Sequence, residues 1–355
     1  MVDLWLPGDC VCGLSPLLSP NITDFRRRNP SDEERMPRTM PFTVINTQAY
    51  FTGEARAHLE QNYCEIRYCA LEDLTEDEFC REIRGADAVI AGGEWYTAKV
   101  LGAADTLRIV ARTGAGFDHV DTAAASEHGI WVTTTPGATS NAVADFTLGL
   151  ILCVLRNIPA MTQEMKAGEW KQFCGRELAS LTVGIVGAGA IGREVIKRVR
   201  GFDTRILAYD VQPDSTFAEN WRVQYVSLDE LMAQSDVVSL HTPLNEHTRG
   251  LIDERRLKLM KREAYLVNTS RPGVIDKAAL VRVLEAKEIA GAAIDVHDPH
   301  PTSPDDPLVR LDNVIATPWT AYNTEASVAK MCITAARDVV KVLNGNPPSF
   351  PVNVL

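Results

Sequence analysis

Residues 181–195 decide the fold of this chain, and they read Leu181-Thr-Val-Gly-Ile-Val-Gly187-Ala-Gly189-Ala-Ile-Gly192-Arg-Glu-Val195. A short β-branched stretch runs into a G-x-G-x-x-G turn, and a helix-like segment follows. Gly187 allows the tight turn, Gly189 lets the backbone approach a phosphate group, and Gly192 lets helix and strand pack closely. The stretch therefore predicts a βαβ unit whose helix N-terminus offers free N–H groups and a positive dipole end to a pyrophosphate.

A second apolar strand, Ile206-Leu-Ala-Tyr, ends in Asp210, 18 residues past Gly192. A carboxylate at this distance can accept the ribose hydroxyls of NAD, and it would repel the additional phosphate of NADP. The glycines alone are a weak signal, but both strands and the acidic residue occur at the spacing from the glycines that the motif requires. The sequence thus predicts NAD as the cofactor, with Ala190 and Ile191 completing the first helical turn at its phosphates.

Composition limits the classes of function that are open to this chain. With 355 residues it is too long for one compact core, so we expect two domains. The net charge of −11 argues against nucleic acid or an anionic membrane as the main partner. The eight cysteines are scattered without metal-ligand spacing, so we expect reduced thiols in a cytoplasmic protein and no metal site. We also expect no membrane span and no secretory signal.

Two series of short apolar strands alternating with helices follow one another along the chain. Six prolines occur from Pro7 to Pro41, five of them within residues 1–40, and this segment predicts a disordered N-terminal extension. The first series opens at Phe42 and is broken by Pro136-Gly137, after which a long apolar helix leads into the series that holds the glycine turn. This pattern predicts an α/β fold with two doubly wound parallel-sheet domains, Rossmann-like or flavodoxin-like, and a cleft between them.

Approximate element positions follow from the same pattern. In the second series we expect strands near residues 183, 206, 237, 265, 290 and 314, and helices near 191–200, 228–234, 254–261 and 276–287. The linking helix is expected over 141–156, and a final helix over about 324–343.

Six stretches of the chain occur in the order that is typical of one enzyme family. They are Ala111-Arg-Thr-Gly-Ala-Gly-Phe-Asp-His-Val-Asp121, Thr135-Pro-Gly, Val183 to Asp210, Ser239-Leu-His-Thr-Pro-Leu244, Asn268-Thr-Ser-Arg-Pro-Gly-Val-Ile-Asp276 and Gly291-Ala-Ala-Ile-Asp-Val296. With them, residues 42–345 resemble the D-2-hydroxyacid dehydrogenases, a family that includes phosphoglycerate dehydrogenases, formate dehydrogenases and the C-terminal-binding-protein corepressors.

The resemblance implies a domain plan and an activity. Residues 41–138 with 323–355 would form the substrate domain, and residues 139–322 the NAD-binding Rossmann domain. The implied activity is NAD-dependent oxidation and reduction at the CH–OH group of a small 2-hydroxy acid. A homodimer paired through the cofactor domains is also implied. The apolar helix with Phe146, Leu150, Leu152 and Leu155 would need cover from a partner, unless the chain itself buries it.

The resemblance also assigns roles to single residues. The catalytic arginine of the family falls on Arg271, whose planar guanidinium can hold both the carboxylate and the 2-keto oxygen of a substrate. Asp295 is expected to meet the nicotinamide amide, while Thr242 and Pro243 line the adenosine side and Thr269 belongs to the same cofactor set. The backbone expected to face the substrate carboxylate is that of Gly92, Gly93, Gly114, Ala115 and Gly116.

Two positions depart from the family pattern at its acid/base site. Trp319 stands where the family has its acid/base histidine, and His300 stands where it has a supporting glutamate. Reduction of a ketone needs a proton for oxygen, which imidazole can supply near neutral pH and an indole N–H cannot. Without the histidine, a buried carboxylate would lack its partner, so the two replacements are mutually consistent. His119 stands where asparagine is usual, without an assigned role.

Three hypotheses remain open at this point. In the first, His300 carries the proton in a rebuilt catalytic set with Arg271 and Trp319; His297, Tyr322 and Tyr96 are the secondary candidates for this step. In the second, the substrate needs no protein acid, as in oxidation of formate. In the third, the chain has lost turnover and binds NAD(H) as a regulatory or scaffold module of the corepressor type.

Overall fold

In a computed structural model, residues 40–70 and 74–355 are described, and Pro41–Leu355 form one compact unit. The predicted extension over residues 1–40 lies outside the described residues, apart from Met40. Two separate β-sheets, of five and seven parallel strands, account for the strands of this unit. The predicted α/β fold with two doubly wound parallel sheets is therefore confirmed.

The five-stranded sheet comes from the first of the two βα series. Its strands are β1 (Phe42–Asn46), β2 (Cys64–Tyr68), β3 (Ala88–Ala91), β4 (Ile109–Arg112) and β5 (Trp131–Thr133), in the order β2-β1-β3-β4-β5. The helices of this series are α1 (Gly53–Gln61), α2 (Glu76–Glu82), α3 (Ala98–Ala103) and α4 (Thr122–Glu127). The strand order reverses between β1 and β3, the kind of position at which doubly wound sheets bind ligands.

The seven-stranded sheet comes from the second series. Its strands are β6 (Thr182–Val186), β7 (Arg205–Tyr209), β8 (Val223–Tyr225), β9 (Val237–Leu240), β10 (Tyr265–Asn268), β11 (Gly291–Ile294) and β12 (Val314–Ala316), in the order β12-β11-β10-β9-β6-β7-β8. The helices are α5 (Ser140–Arg156), α6 (Ile158–Lys166), α7 (Ala190–Arg200), α8 (Ser215–Trp221), α9 (Leu228–Gln234), α10 (Glu254–Leu257), α11 (Lys277–Glu285), α12 (Pro307–Arg310) and α13 (Glu325–Leu343).

Burial on both faces explains why the central strands are mostly apolar. Strands β3, β4, β9 and β11 consist of buried residues only, as is typical of parallel strands covered by helices on each side. Polar side chains appear where each strand ends. Since all strands of a parallel sheet end at one edge, each sheet presents a row of polar loops along that edge.

The C-terminal helix α13 packs on the five-stranded sheet, although it follows the seven-stranded one in sequence. Its buried residues Cys332, Ala335 and Val339 share a hydrophobic core with Val44 and Leu59. The chain thus returns to its first sheet after completing the second.

The long apolar helix α5 is covered within the chain itself. Its buried residues Leu150, Ile151 and Val154 share a core with Ile185 of β6 and Val195 of α7. This burial removes the argument that α5 needs a partner subunit to cover it. Among the described residues, no single helix combines the length and hydropathy needed to cross a membrane, and only the bent pair of α5 and α6, taken together, meets both conditions.

Five elements of the second series differ from the sequence-based expectations, because β8, α6, α8 and α12 were not expected and α10 is shorter than expected. Strand β8 is an edge strand of three residues that pairs with β7, and it is too short to carry a recognisable period. Helix α10 ends at Leu257 rather than near residue 261. The chain tightens there, because the N–H groups of Leu259 and Met260 donate to carbonyls only three residues back, each over 3.1 Å.

Candidate active site

The predicted cofactor residues all follow strands of the seven-stranded sheet at its carboxyl edge. Gly187 follows β6, Asp210 follows β7, Thr242 follows β9, Thr269 follows β10 and Asp295 follows β11. Neighbouring strands lie about 4.8 Å apart, so these loop starts form one row across the sheet. The fold thereby brings together residues that are far apart in sequence.

The glycine turn has the close packing that its motif requires. Gly187 takes φ +94°, and a Cβ there would lie 2.9 Å from the His241 carbonyl. A Cβ on Gly192 would overlap the Gly187 carbonyl oxygen. Around Gly189, by contrast, a Cβ would meet nothing within 4 Å, so the start of α7 opens onto free space.

The open turn fits the phosphates and ribose of NAD. No side chain of the described residues caps α7 at Gly189, which leaves the N–H groups of Ala190 and Ile191 to a ligand. Asp210 stands beside the turn, where one carboxylate oxygen accepts the Ala188 N–H over 2.7 Å and the other accepts the Gln212 N–H over 2.9 Å. Both carboxylate oxygens retain lone pairs for ribose hydroxyls.

The loop after β9 adds unpaired polar atoms to this edge. The hydroxyl of Thr242 is buried with no hydrogen-bond partner among the described residues, and the methyl group of the same side chain lies next to Gly187. His241 Nε2 is 2.9 Å from Ser239 Oγ. Burial lowers the pKa of His241 to about 3, so its imidazole is neutral. The Pro243 carbonyl accepts the Thr248 hydroxyl over 2.6 Å, which fixes the loop that follows.

Thr269 is tied to the linking helix α5. Its hydroxyl lies 2.9 Å from that of Thr147, which donates its own proton to the Val143 carbonyl over 2.7 Å. Thr269 is therefore the donor in this pair, and its lone pairs remain available at the sheet edge.

Arg271 crosses from the seven-stranded sheet to the loop that follows β4. Its Nε lies 3.1 and 3.2 Å from the two carboxylate oxygens of Asp118, and its Nη1 donates to the Ser270 carbonyl over 2.8 Å. A Cβ on Gly116 would overlap Arg271 Nη2, so a glycine at that position makes room for the guanidinium. The two predicted parts of the substrate site, Arg271 and the Gly114–Gly116 backbone, thus lie together.

Asp118 is a site residue for which the sequence analysis gave no role. Burial pushes the pKa of this carboxyl up, but the Arg271 charge and hydrogen bonds outweigh burial, and the pKa lies below its usual range. Asp118 is therefore ionised at neutral pH. The only local signal was its place in the Gly-x-Gly-x-Asp stretch, which does not identify a partner 153 residues away.

Asp295 holds the loop that carries Trp319. It is 1% exposed, and its carboxylate accepts the Thr317 hydroxyl over 2.7 Å and the N–H groups of Thr320 and Ala321 over 3.0 Å each. The backbone N–H of Trp319 donates to the backbone carbonyl of Asp295 over 2.8 Å. With these bonds Asp295 keeps Trp319 in the left-handed region, at φ +51°.

The three predicted catalytic residues meet at the ring of Trp319. The guanidinium carbon of Arg271 lies 5.9 Å from the ring centroid, within cation–π range. The His300 ring is exposed and lies 5.1 Å from the Trp319 ring at an angle of 51°. Of the secondary candidates, His297 is buried with Nε2 2.9 Å from the Thr317 carbonyl, and Tyr96 is fully buried. Tyr322 lies in the loop between β12 and α13, which also carries Trp319.

The carboxyl edge of the five-stranded sheet supplies the other wall. The Gly92 N–H donates to Thr47 Oγ1 and to Glu94 Oε2, each over 2.9 Å, and burial raises the pKa of Glu94. Gly93 has open space where a Cβ would lie. Gly114 takes φ +151°, and its N–H donates to Thr135 Oγ1 over 2.9 Å; Ala115 beside it is exposed.

His119 is a second residue of this wall whose role could not be predicted from the sequence. Its Nε2 lies 3.9 Å from Asp118 Oδ2, and its ring is tilted by 46° against that of Trp95, with centroids 4.4 Å apart. The side chain is 24% exposed. Asp118 thus stands between an imidazole and the Arg271 guanidinium.

Comparisons with known proteins agree with this architecture. Residues 148–321 match the family model described as the NAD binding domain of D-isomer specific 2-hydroxyacid dehydrogenases, which confirms NAD as the predicted cofactor. The structure of a D-lactate dehydrogenase from Aquifex aeolicus, complexed with NAD and lactic acid, is similar with a TM-score of 0.77 and 27% identity, over 86% of this chain and 96% of that one.

Sequence relatives cover most of the chain. A glyoxylate reductase from Thermofilum pendens is 39% identical over 293 residues, which are 79% of this chain and 85% of that protein. A D-3-phosphoglycerate dehydrogenase from Methanocaldococcus jannaschii is 39% identical over 285 residues, but this chain spans only 54% of its length. The chain therefore belongs to the D-isomer-specific 2-hydroxyacid dehydrogenases, a family of NAD-binding oxidoreductases.

Proposed function

We propose that this chain interconverts a small 2-oxo acid and the corresponding 2-hydroxy acid with NAD(H). The position of Arg271 is the main support for the proposal. Its guanidinium lies at the carboxyl edge of the seven-stranded sheet and against the Gly114–Gly116 backbone of the five-stranded one, where it can bind a carboxylate. Arg271 follows β10 and the glycine turn follows β6, and one strand, β9, lies between these two. The ends of β10 and β6 are therefore about 10 Å apart. The relatives named for glyoxylate and lactic acid support a substrate of this class.

Arg271 would act on the substrate in two ways. It would bind the carboxylate, and it would donate a hydrogen bond to the keto oxygen, stabilising the negative charge that develops there during reduction. NADH, when bound, supplies the hydride that the carbonyl carbon accepts. Trp319 would form an apolar wall of the pocket but could not release a proton, since an indole N–H does not ionise.

The source of the proton is where this site departs from the family pattern. His300, the candidate from the sequence, is exposed and contacts the Trp319 ring. Among the described residues, no carboxylate forms an ion pair with it. His300 as the acid therefore stays a hypothesis, in which His300→Phe would slow ketone reduction by roughly 10²–10⁴-fold.

The Arg271→Ala variant tests the proposed function. We expect the wild type to bind NADH, measured by fluorescence titration, and to oxidise it with members of a 2-oxo acid panel that includes glyoxylate and pyruvate. In Arg271→Ala, kcat/KM should fall at least roughly 10²–10³-fold with the NADH affinity unchanged. Arg282→Ala is the matched control, because Arg282 is exposed on α11 and pairs with Glu254. Equal turnover in both variants would contradict the role of Arg271.

Two other outcomes would favour the alternative hypotheses. Tight NADH binding without oxidation across the panel would favour a regulatory or scaffold module of the corepressor type. Reduction of NAD by formate, with no activity on 2-oxo acids, would favour an oxidation that needs no protein acid.

We also propose that the chain forms a homodimer through its NAD-binding half. Apolar side chains are exposed on α6 and just after it, at Ile158, Met165 and Trp170. A cavity of about 780 Å³ lies beside α6, between α5 and the edge strand β12. An edge strand next to exposed apolar groups suits a second copy of the chain, which would cover both.

A further inference from the structure

We propose that His119 is the acid of this site, and that Asp118 positions it; this inference rests on the proposed function. The two side chains follow β4 of the five-stranded sheet, and Arg271, which also lies over the Trp319 ring, reaches Asp118 from the other sheet. His119 Nε2 is 3.9 Å from Asp118 Oδ2, and the same oxygen is 3.2 Å from Arg271 Nε. The imidazole and the guanidinium are therefore separated by no more than these two distances combined.

The orientation of His119 suits proton transfer better than that of His300. Its Nε2 faces the Asp118 carboxylate at 3.9 Å, and its ring lies against that of Trp95, with centroids 4.4 Å apart at an angle of 46°. A carboxylate beside one ring nitrogen is the kind of group that fixes the tautomer and direction of a working imidazole. His300 has an aromatic neighbour and an exposed ring.

The reaction balances with this assignment. During reduction the carbonyl carbon gains hydride, the π electron pair moves onto oxygen, and that oxygen takes the proton of the His119 imidazolium. The 2-oxo acid becomes a 2-hydroxy acid, NADH is oxidised to NAD, and His119 is left neutral until solvent protonates it again. In the reverse direction, neutral His119 accepts the hydroxyl proton.

The charges around His119 set the direction of its pH dependence. Burial, together with Arg112 and Arg271, lowers the pKa of His119, while Asp118 raises it; the balance lies below the ordinary value. Reduction requires the imidazolium, so kcat/KM for the 2-oxo acid should fall as the pH rises through this pKa. Oxidation of the hydroxy acid requires the neutral ring and should rise over the same range.

Two measurements test this assignment. In NMR titrations of the cofactor-free protein, we expect Asp118→Asn to lower the pKa of the His119 ring, because a neighbouring negative charge is lost. The matched control is Glu246→Gln beside His247, a fully surface-exposed acid–histidine pair at 3.4 Å. An unchanged His119 titration in Asp118→Asn would show that Asp118 does not position the ring.

The second measurement is the pH profile of turnover. His119→Asn should lower ketone reduction by roughly 10²–10⁴-fold and remove the pH limb, with the NADH affinity intact, whereas His247→Asn should keep both rate and limb. The proposal would be overturned in favour of His300 if His119→Asn kept the wild-type rate of ketone reduction and its fall with rising pH, while His300→Phe lost both. A wild type inactive on the whole panel would instead remove the proposed reaction, and this step with it.

Discussion

At the scale of single residues, Gly189 and Gly192 lie in the same turn but have different surroundings. A Cβ on Gly189 would meet nothing within 4 Å, and its φ of −74° is one that alanine adopts without strain. A Cβ on Gly192 would overlap a carbonyl oxygen. Gly189 therefore leaves space for a ligand, whereas Gly192 allows the backbone of the turn to pack against the helix.

This contrast gives a paired prediction. Gly189→Ala should keep the free energy of unfolding within about 0.5 kcal/mol of wild type, yet weaken NADH binding, because its methyl group would occupy the phosphate position. Gly192→Ala should lower the free energy of unfolding by about 1–3 kcal/mol. Urea denaturation and fluorescence titration of NADH measure the two effects. Wild-type NADH affinity in Gly189→Ala would contradict a phosphate at this turn.

Local motifs could be interpreted from the sequence, but contacts between distant residues could not. The glycine turn, Asp210 and Arg271 belong to short patterns with a defined spacing, so each could be named in advance. The ion pair between Arg271 and Asp118 joins residues 153 positions apart, and no local period specifies it. His119 could be recognised as an unusual residue, but only the fold places it next to Asp118.

At the scale of elements, the loop after β12 depends on one buried carboxylate. Asp295 accepts from Thr317, Thr320 and Ala321 and so holds Trp319 where Arg271 and His300 meet it. The sequence assigned Asp295 to the cofactor by resemblance; its contacts with this loop add a positioning task.

Replacing that carboxylate should loosen the loop. In Asp295→Asn, an amide N–H group would face backbone N–H donors, so we expect the free energy of unfolding to fall by about 1.5–3 kcal/mol. Asp305→Asn is the control, since Asp305 forms an exposed pair with Arg310 at 3.1 Å that should contribute about 1 kcal/mol or less. Urea denaturation compares the two variants, and equal losses would show that Asp295 has no special role in the loop.

An element could be predicted when its own residues carry the hydrophobic pattern or the cap that specifies it. The run Ala88-Val-Ile-Ala marks β3 within its own four residues, and the capping box of Thr75 and Glu78 marks the start of α2. Strand β8 exists because β7 offers it a pairing edge, which its three residues do not encode.

At the scale of the whole molecule, the proposed dimer can be tested directly. Light scattering after size exclusion should give a mass twice the 39.0 kDa of the chain. Trp170→Ser should shift the protein toward monomer, because it removes the most exposed aromatic group of the α6 region, which is 82% exposed. Val211→Ser, at an 83% exposed residue beyond Asp210, is the control. A monomeric wild type would contradict the dimer.

The two βα series predicted the two sheets because each series carries its own turns and periods. They did not by themselves predict that α13 would pack on the first sheet. That expectation came from the resemblance, and the burial of Cys332, Ala335 and Val339 in the core with Val44 now gives the physical reason for it.

The ion pair of Asp118 and Arg271 has a consequence for how a substrate enters. Under the proposed function, an incoming carboxylate would compete with Asp118 for the guanidinium of Arg271, so substrate binding would exchange one anion for another there. Once displaced, Asp118 keeps its full charge for the imidazole beside it. In the proposed reaction, protonation of His119 and binding of the substrate at Arg271 would then favour each other, so that the imidazolium forms most readily when a ketone is present to receive its proton.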